Sequence, residues 1–463
     1  MVAATAKGRA LMGGTTAMRA ASETYLPKFG KESHESYTTR RNASWLFNGY
    51  RKTVRDMTGR VFAKSVELAD DVDSRLADWC ENVDLAGRDL STFASNVFED
   101  ALSGPGIGYI MADAPRRDGT VTTAQADAGN LRPFLSHLRA EDVLGWKTET
   151  VNNITRLAQI RIAEIIAVPD PQDEFAEGSV EQVRVLDLIE GRVQVRLYRR
   201  IAKQSKWALF DGPTMTDMDE ICVVPVYLNR TGFFTADPVL DDLADINVAH
   251  WQSQSDQRNI LHYARVPILF GAGIAETDGI TIGSETAVMA AEPQARLSWV
   301  EHGGQAIGAG RQDLKDLEFQ METFGLQLLA ARPGSQSATG EALDSAKETS
   351  HLSMMADQLQ DALEQALRHM ATYGGLKTDP SVMVNKDFGV TLMGAQELTA
   401  MLTAVRDGVL SRTTFIEEMV RRGMIRSDIR PDEEFDRIDE DEFRGSDTAL
   451  TSALPGQAGG MPN

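Results

Sequence analysis

The stretch that most constrains this fold begins after Pro238: VLDDLADINVAHWQSQSDQRNILHYARV, residues 239–266. Nothing in it breaks a helix, and a run of that length at 1.5 Å per residue makes a rod of about 42 Å. Its first turns carry Leu240, Leu243 and Ile246, the apolar stripe of a helix seated on a core. From residue 252 to 259 (QSQSDQRN) the stripe is gone. A helix polar all round is not held in a globular core; it lies beside other helices at a wet interface or along a channel. Residues 266–310 then change to short apolar runs between glycines (PILFGAGI, ITIG, RLSWVEHGGQAIGAG), which reads as a small β-rich module. QDLKDLEFQMETFGLQLLA (312–330) aligns Leu314, Leu317, Met321, Phe324 and Leu328 as a second helix. The chain goes out along one helix, turns through a β module and comes back along another.

The segment after this excursion joins a soft loop to a rod. ARPGSQSATGEA offers Pro, Gly, Ser, Gln, Ala and Thr and almost nothing to bury. From Leu343 the chain becomes helical, with Leu352, Met355, Leu359, Leu363 and Leu367 at three- and four-residue steps.

Upstream, the first 20 residues are small, polar and basic, the composition of a disordered arm. Helices follow to about residue 103. One carries Trp45, Phe47, Tyr50, Val54 and Met57, and another Leu90, Phe93, Val97 and Leu102. Then come strands: GYIMAD (108–113); VRVLDLIEGRVQVRLYRR, a hairpin turning at Glu190-Gly191; and ICVVPVYLN (221–229), where Pro225 suggests an edge or a bulge. Residues 396–425 read as a helix-turn-helix hairpin with Gly408 in the turn and Ser411 as N-cap. The remainder is acidic, then rich in Gly and Pro, the pattern of a flexible tail. The fold class is α+β.

Composition excludes several functions. The chain of 463 residues is too long for one ordinary core. It has no apolar run near the roughly 18 residues of a membrane span and no signal-peptide core, which predicts a soluble, cytosolic product. Two cysteines, Cys80 and Cys222, give no disulfide framework and are expected as buried thiols; the seven histidines show no metal-ligand spacing. Lys and Arg total 47 against 68 Asp and Glu, a net charge of −21, so the surface repels polyanions and sequence reading of DNA is disfavoured. GGQAIGAG (303–310) lacks the Lys-Ser or Lys-Thr of a phosphate loop and is read as a turn. The Arg421, Arg422 and Arg426 of the C-terminal hairpin share their helix with Glu417 and Glu418, which favours packing over DNA reading. No catalytic constellation stands out, so no enzyme activity and no cofactor are expected.

YLPKFGKESHESYTTRRNASWLFNGYRKTVRDMTGRVFAKSVEL resembles the opening signature of a family of tailed-bacteriophage portal, or head-to-tail connector, proteins. Further blocks in the same order match it: 106–116, 132–147, 184–199, 238–273 and 339–368, so that the resemblance covers roughly residues 23–425. It implies a homo-oligomeric ring of, typically, twelve copies at one capsid vertex around a DNA channel. The partners implied are double-stranded DNA passing without sequence specificity, the terminase large subunit, a head-tail adaptor, and the major capsid and scaffolding proteins. The implied location is the virion, after synthesis in the host bacterial cytoplasm.

Mapped onto this chain, residues 1–20 would be the disordered arm and 21–235 a wing. Residues 236–265 and 311–331 would be the two stem helices, with 266–310 as the clip between them. Residues 332–344 would be a tunnel loop, 345–394 the long helix and a return to the wing, 395–430 a crown and 431–463 the acidic tail. The expected tunnel-loop residues are Gly334, Ser335, Gln336, Ser337, Ala338, Thr339 and Gly340. Gln252, Gln254, Gln257 and Arg258 are expected on the stem as channel wall or subunit interface. The alternatives are a phage-encoded enzyme with a cryptic site, or a small-ring adaptor or scaffold protein.

Overall fold

The computed structural model describes residues 2–115, 131–169, 175–200, 206–265, 268–272, 294–300, 305–327, 338–386, 388, 395–421, 424–426 and 429–438. It has two compact units, residues 1–386 and 387–463.

The expected disordered arm is instead two helices, α1 (Val2–Met12) and α2 (Gly14–Ala21). Alanine gives the segment helix propensity, and Leu11 and Met18 are fully buried. Its close partners lie far along the chain, where local composition cannot reveal them. A Cβ on Gly8 would come within 2.4 Å of the Ser103 carbonyl oxygen, and Arg9 pairs with Asp100 (2.7 Å) and Glu141 (2.6 Å).

α3 (His34–Ala43) is capped by Ser33, whose hydroxyl accepts from the Ser36 amide. α4 (Gly49–Val61) is capped by Asn48 in the same way, from the Arg51 amide. Because each cap fixes where a helix starts, residues 44–48 are a link between two helices, and Trp45 and Phe47 stand off the expected apolar stripe, half-exposed. Tyr50, Val54 and Met57 are buried as their spacing predicts. A short strand β1 (Glu67–Leu68), α5 (Ser74–Cys80) and α6 (Leu90–Leu102) follow, with Leu90, Phe93, Val97 and Leu102 inside.

β2 (Ile107–Asp113) is the buried centre of a three-stranded antiparallel sheet between β3 (Phe134–Leu138) and a later strand. A five-stranded antiparallel meander comes next: β4 (Val143–Val151), β5 (Ile154–Pro169), β6 (Glu177–Ile189), β7 (Arg192–Arg200) and β8 (Trp207–Met215). The predicted β6–β7 hairpin is present. Ile189 opposes Arg192, and Glu190 and Gly191 both take positive φ (51° and 78°), as a tight primed turn demands. Among the described residues β9 (Val223–Tyr227) pairs only with β2, opposite Tyr109 at Pro225, so of the edge or bulge expected the proline takes the edge. β10 (Arg230–Gly232) and β11 (Thr235–Ala236) close a small ribbon.

The excursion follows. α7 (Asp241–Ala264) leads to β12 (Ile268–Ala272), which pairs antiparallel with β13 (Arg296–Val300), Ile268 opposite Val300. α8 (Gln305–Gln327) returns along α7. Residues 305–310, assigned above to the clip and read as a glycine-rich turn, are the first turns of α8. Phe324, expected on the apolar stripe, is 37% exposed. α9 (Ala338–Tyr373) starts earlier than expected, so Ala338, Thr339 and Gly340 are helical, not loop. Gly334, Ser335, Gln336 and Ser337 lie outside the described residues. The predicted face of α9 is buried from Leu352 to Leu367, and the helix packs on β2 and β9, as α6 does. β14 (Val382–Met383) pairs with β1.

The second unit holds α10 (Ala395–Arg406) and α11 (Arg412–Arg421). Gly408 (φ 74°) makes the turn and the Ser411 hydroxyl accepts from the Thr414 amide, as the sequence indicated. Residues 431–438, placed above in the flexible tail, are helical. Among the described residues, no helix is long and apolar enough to cross a membrane.

Candidate functional site

The helix that loses its apolar stripe is held by polar side chains instead. At the base of α7, Lys7 Nζ from α1 lies 2.8 Å from Asp241 and pairs also with Asp245. One turn on, Asn247 is fully buried; its Oδ1 accepts from the Tyr50 amide (2.9 Å) and its Nδ2 donates to the Phe47 carbonyl (2.8 Å). His250 packs on the Phe47 ring (5.3 Å between centroids) and sets Nε2 3.3 Å from Glu318 on α8. Burial pushes the His250 pKa down, with Glu318 opposing. Trp251 is fully buried beside it.

Beyond Trp251 the two sides of α7 separate. Toward α8, Ser253 Oγ donates to Asp313, and Gln257 Nε2 donates to the Ile307 carbonyl (3.0 Å). The helices meet so closely here that a Cβ on Gly310 would lie 2.2 Å from Gln257 Oε1. Toward α3, Gln252 Nε2 donates to the Tyr25 carbonyl (3.1 Å), Ser255 Oγ accepts from Arg40 (3.2 Å), and Arg258 reaches the Ala43 carbonyl (3.4 Å). Arg40 is the centre of this side. It also forks onto Glu32, donates to the Pro27 carbonyl (2.9 Å), and lies 4.1 Å over the Phe29 ring. Arg40 holds the Glu32 carboxyl below its ordinary range, while burial raises Asp256, 3.7 Å from Arg40.

The four stem residues singled out by sequence therefore differ in fate. Gln257 is 7% exposed and spent inside the chain between α7 and α8, which corrects its assignment to a wall. The cause is the glycine at 310, which lets the second helix close over it. Gln252 is half-buried and tied to the Tyr25 carbonyl; Gln254 is half-buried, and Arg258 is exposed. What sequence reasoning missed is the clamp of residues 25–40 on α7. Its signal was present but faint: an Arg eight residues after a Glu, with Phe29 just before them and Tyr37 between them.

Cys80 and Cys222 are both buried and free, and burial pushes the Cys80 thiol up to about 12. Among the described residues, no three His, Cys, Asp or Glu side chains are placed to hold a metal.

Residues 239–374, from α7 through α9, are similar to a family described as a domain of unknown function (DUF4055). No curated protein matches the chain. Among solved structures, it is similar to a chain of the neck of an empty GTA particle computed with C6 symmetry: 12% identity, TM-score 0.42, covering 89% of this chain and 98% of that one. It is similar also to a chain of the virion of a native gene transfer agent particle (12% identity, TM-score 0.41, 88% and 98% covered). A chain of the native GTA neck computed with C12 symmetry gives 13% identity, TM-score 0.40 and coverage of 88% and 99%.

Proposed function

We propose that this chain is the subunit of a phage portal ring, a channel at one capsid vertex through which double-stranded DNA is packaged and later ejected. The observation that carries this reading is the antiparallel pair α7 and α8, joined through the β12–β13 hairpin and rooted on a polar clamp. Such an out-and-back rod presents its end, the β module, for docking; a terminase and then a head-tail adaptor are the partners that fit this reading. The expected tunnel loop at residues 332–344, the last seven of which fall in the first turns of α9, would border the channel.

Charge supports the reading. Twelve copies at −21 each carry a formal charge of about −252, which disfavours adhesion of DNA to its conduit. Sliding requires weak binding. The chain itself is then no enzyme, and ATP hydrolysis belongs to a separate motor.

Native mass spectrometry and negative-stain imaging of the purified full-length protein test this. The expected result is a closed ring of about a dozen copies with a central hole. A protein that stays monomeric or dimeric at micromolar concentration would sink the proposal.

A further inference from the structure

α7 has a helix on each side, and the two flanks of that layer are unlike. On the far flank of α8 stands Phe319, 69% exposed. It lies nine residues after Gly310, which is two and a half helical turns, so it points away from the face that meets α7. On the opposite flank, between α3 and the C-terminal half of α7, lies a groove of ≈ 660 Å³ whose lining includes Glu35, Ala43, Arg258, His262, Tyr263 and Arg265. Tyr263 is 65% exposed there. One flank thus carries a bare aromatic ring, and the other an open groove edged by an exposed tyrosine.

We infer that the outer face of α8 in one copy seats in the α3/α7 groove of the next copy, with Phe319 as its anchor. The inference rests on the ring reading above and names the surfaces that would build it. Charge supports the match. Apart from Arg40, which is spent on Glu32, the groove carries Arg258 and Arg265 against the single carboxylate Glu35. The outer face of α8 carries Asp316 and Glu322 against the single cation Lys315, all exposed. The signs are mirrored, two to one against one to two. Because the surfaces lie on opposite flanks, the contact is head-to-tail: each copy uses both, and repetition closes a ring where the rotation allows. An exposed aromatic set among charges is the usual composition of an interface anchor.

The test uses the full chain in three variants: Phe319→Arg, the pair Asp316→Lys with Glu322→Lys, and the pair Arg258→Glu with Arg265→Glu. Association is read by sedimentation and native mass spectrometry, and folding by circular dichroism. Each variant alone is expected to lose about 100-fold or more in association while keeping its helical signal, because like charges then face each other or the anchor is gone. Mixing the two charge-reversed variants in equal amounts is expected to restore the large species with a 1:1 composition. In an alternating ring, every α8 face again meets a groove of opposite sign.

Variants that assemble like the wild type would overturn this inference and leave the ring reading standing. So would a mixture that fails to recover although both components are folded. Loss of helical signal would overturn it too, because those side chains would then hold the protomer and not its contacts. A wild-type chain that never assembles would remove both proposals.

Discussion

Glu32 and Arg40 form a closed, two-pronged pair: Nε lies 2.8 Å from Oε1 and one terminal nitrogen 2.9 Å from Oε2, with side chains 7% and 3% exposed. The pair shuts residues 27–40 onto themselves, and the remaining nitrogen of Arg40 reaches Ser255 on α7. Removing one partner of a buried pair strands the other charge. Glu32→Ala is expected to cost about 3–5 kcal/mol in denaturant unfolding at pH 7. Since Arg40 holds the Glu32 carboxyl below its ordinary 4.5, the pair's contribution is complete above that value. It is lost as pH falls through the lower folded value. The gap between wild type and Glu32→Gln should therefore close in acid; a gap that persists unchanged at pH 2 would contradict the assignment.

The buried histidines act on the same acid limb, but at higher pH. Burial lowers the pKa of His250 and of His369, the latter 3.4 Å from Glu220. A group whose folded pKa is depressed is neutral in the native state and takes up a proton on unfolding. Stability is therefore full above about 6.5 and falls with pH below it, by at most about 1.4 kcal/mol per pH unit for each histidine. His250→Phe should remove one of the two increments from a stability profile between pH 7 and 5. An unchanged slope would mean that His250 titrates alike in both states.

Gly310 makes a prediction that changes sign with its neighbour. Alanine there gains about 1 kcal/mol of helix propensity but drives a methyl group into Gln257 Oε1 and endangers the buried bond to Ile307, worth about 1–3 kcal/mol. Gly310→Ala alone should be neutral or destabilising. In a Gln257→Ala background the same change should stabilise by up to about 1 kcal/mol. Additivity in this double-mutant cycle would show that the two positions do not touch.

The proposed role predicts the absence of a chemistry. Homogeneous protein should release no phosphate from ATP above a buffer control, with or without linear DNA. Turnover that copurifies with the chain and disappears on a point change within 303–310 would reverse that expectation.

The legible parts of this fold are those whose partners sit nearby in sequence. Alternation and a two-residue turn located β6 and β7, a proline marked β9 for an edge or a bulge, and the Leu352–Leu367 spacing defined the buried face of α9. The hidden parts depend on distant partners. α1 and α2 looked like an arm because Asp100, Glu141 and Asp241 are invisible from residues 7 and 9. Gln257 looked like channel wall because a polar side chain carries no mark of the glycine that will cover it. The excursion itself was readable from its glycines; the clamp on α7 left only the Glu32–Arg40 spacing as a trace, because a loop of Tyr, Pro, Phe and Glu has no period to read.

The ion pairs at the base of α7 also impose a timetable. Lys7 and Asp245 are separated by 238 positions. At the ordinary synthesis rate of about 5–20 residues per second, roughly 12–48 s pass between the two leaving the ribosome's active centre. Throughout that interval α1 lacks the ion pairs that tether it to α7, and the apolar surface of Leu11 must wait for partners made later. The first helix of a nascent chain can thus complete these tethers only when the helix that roots the rod has emerged.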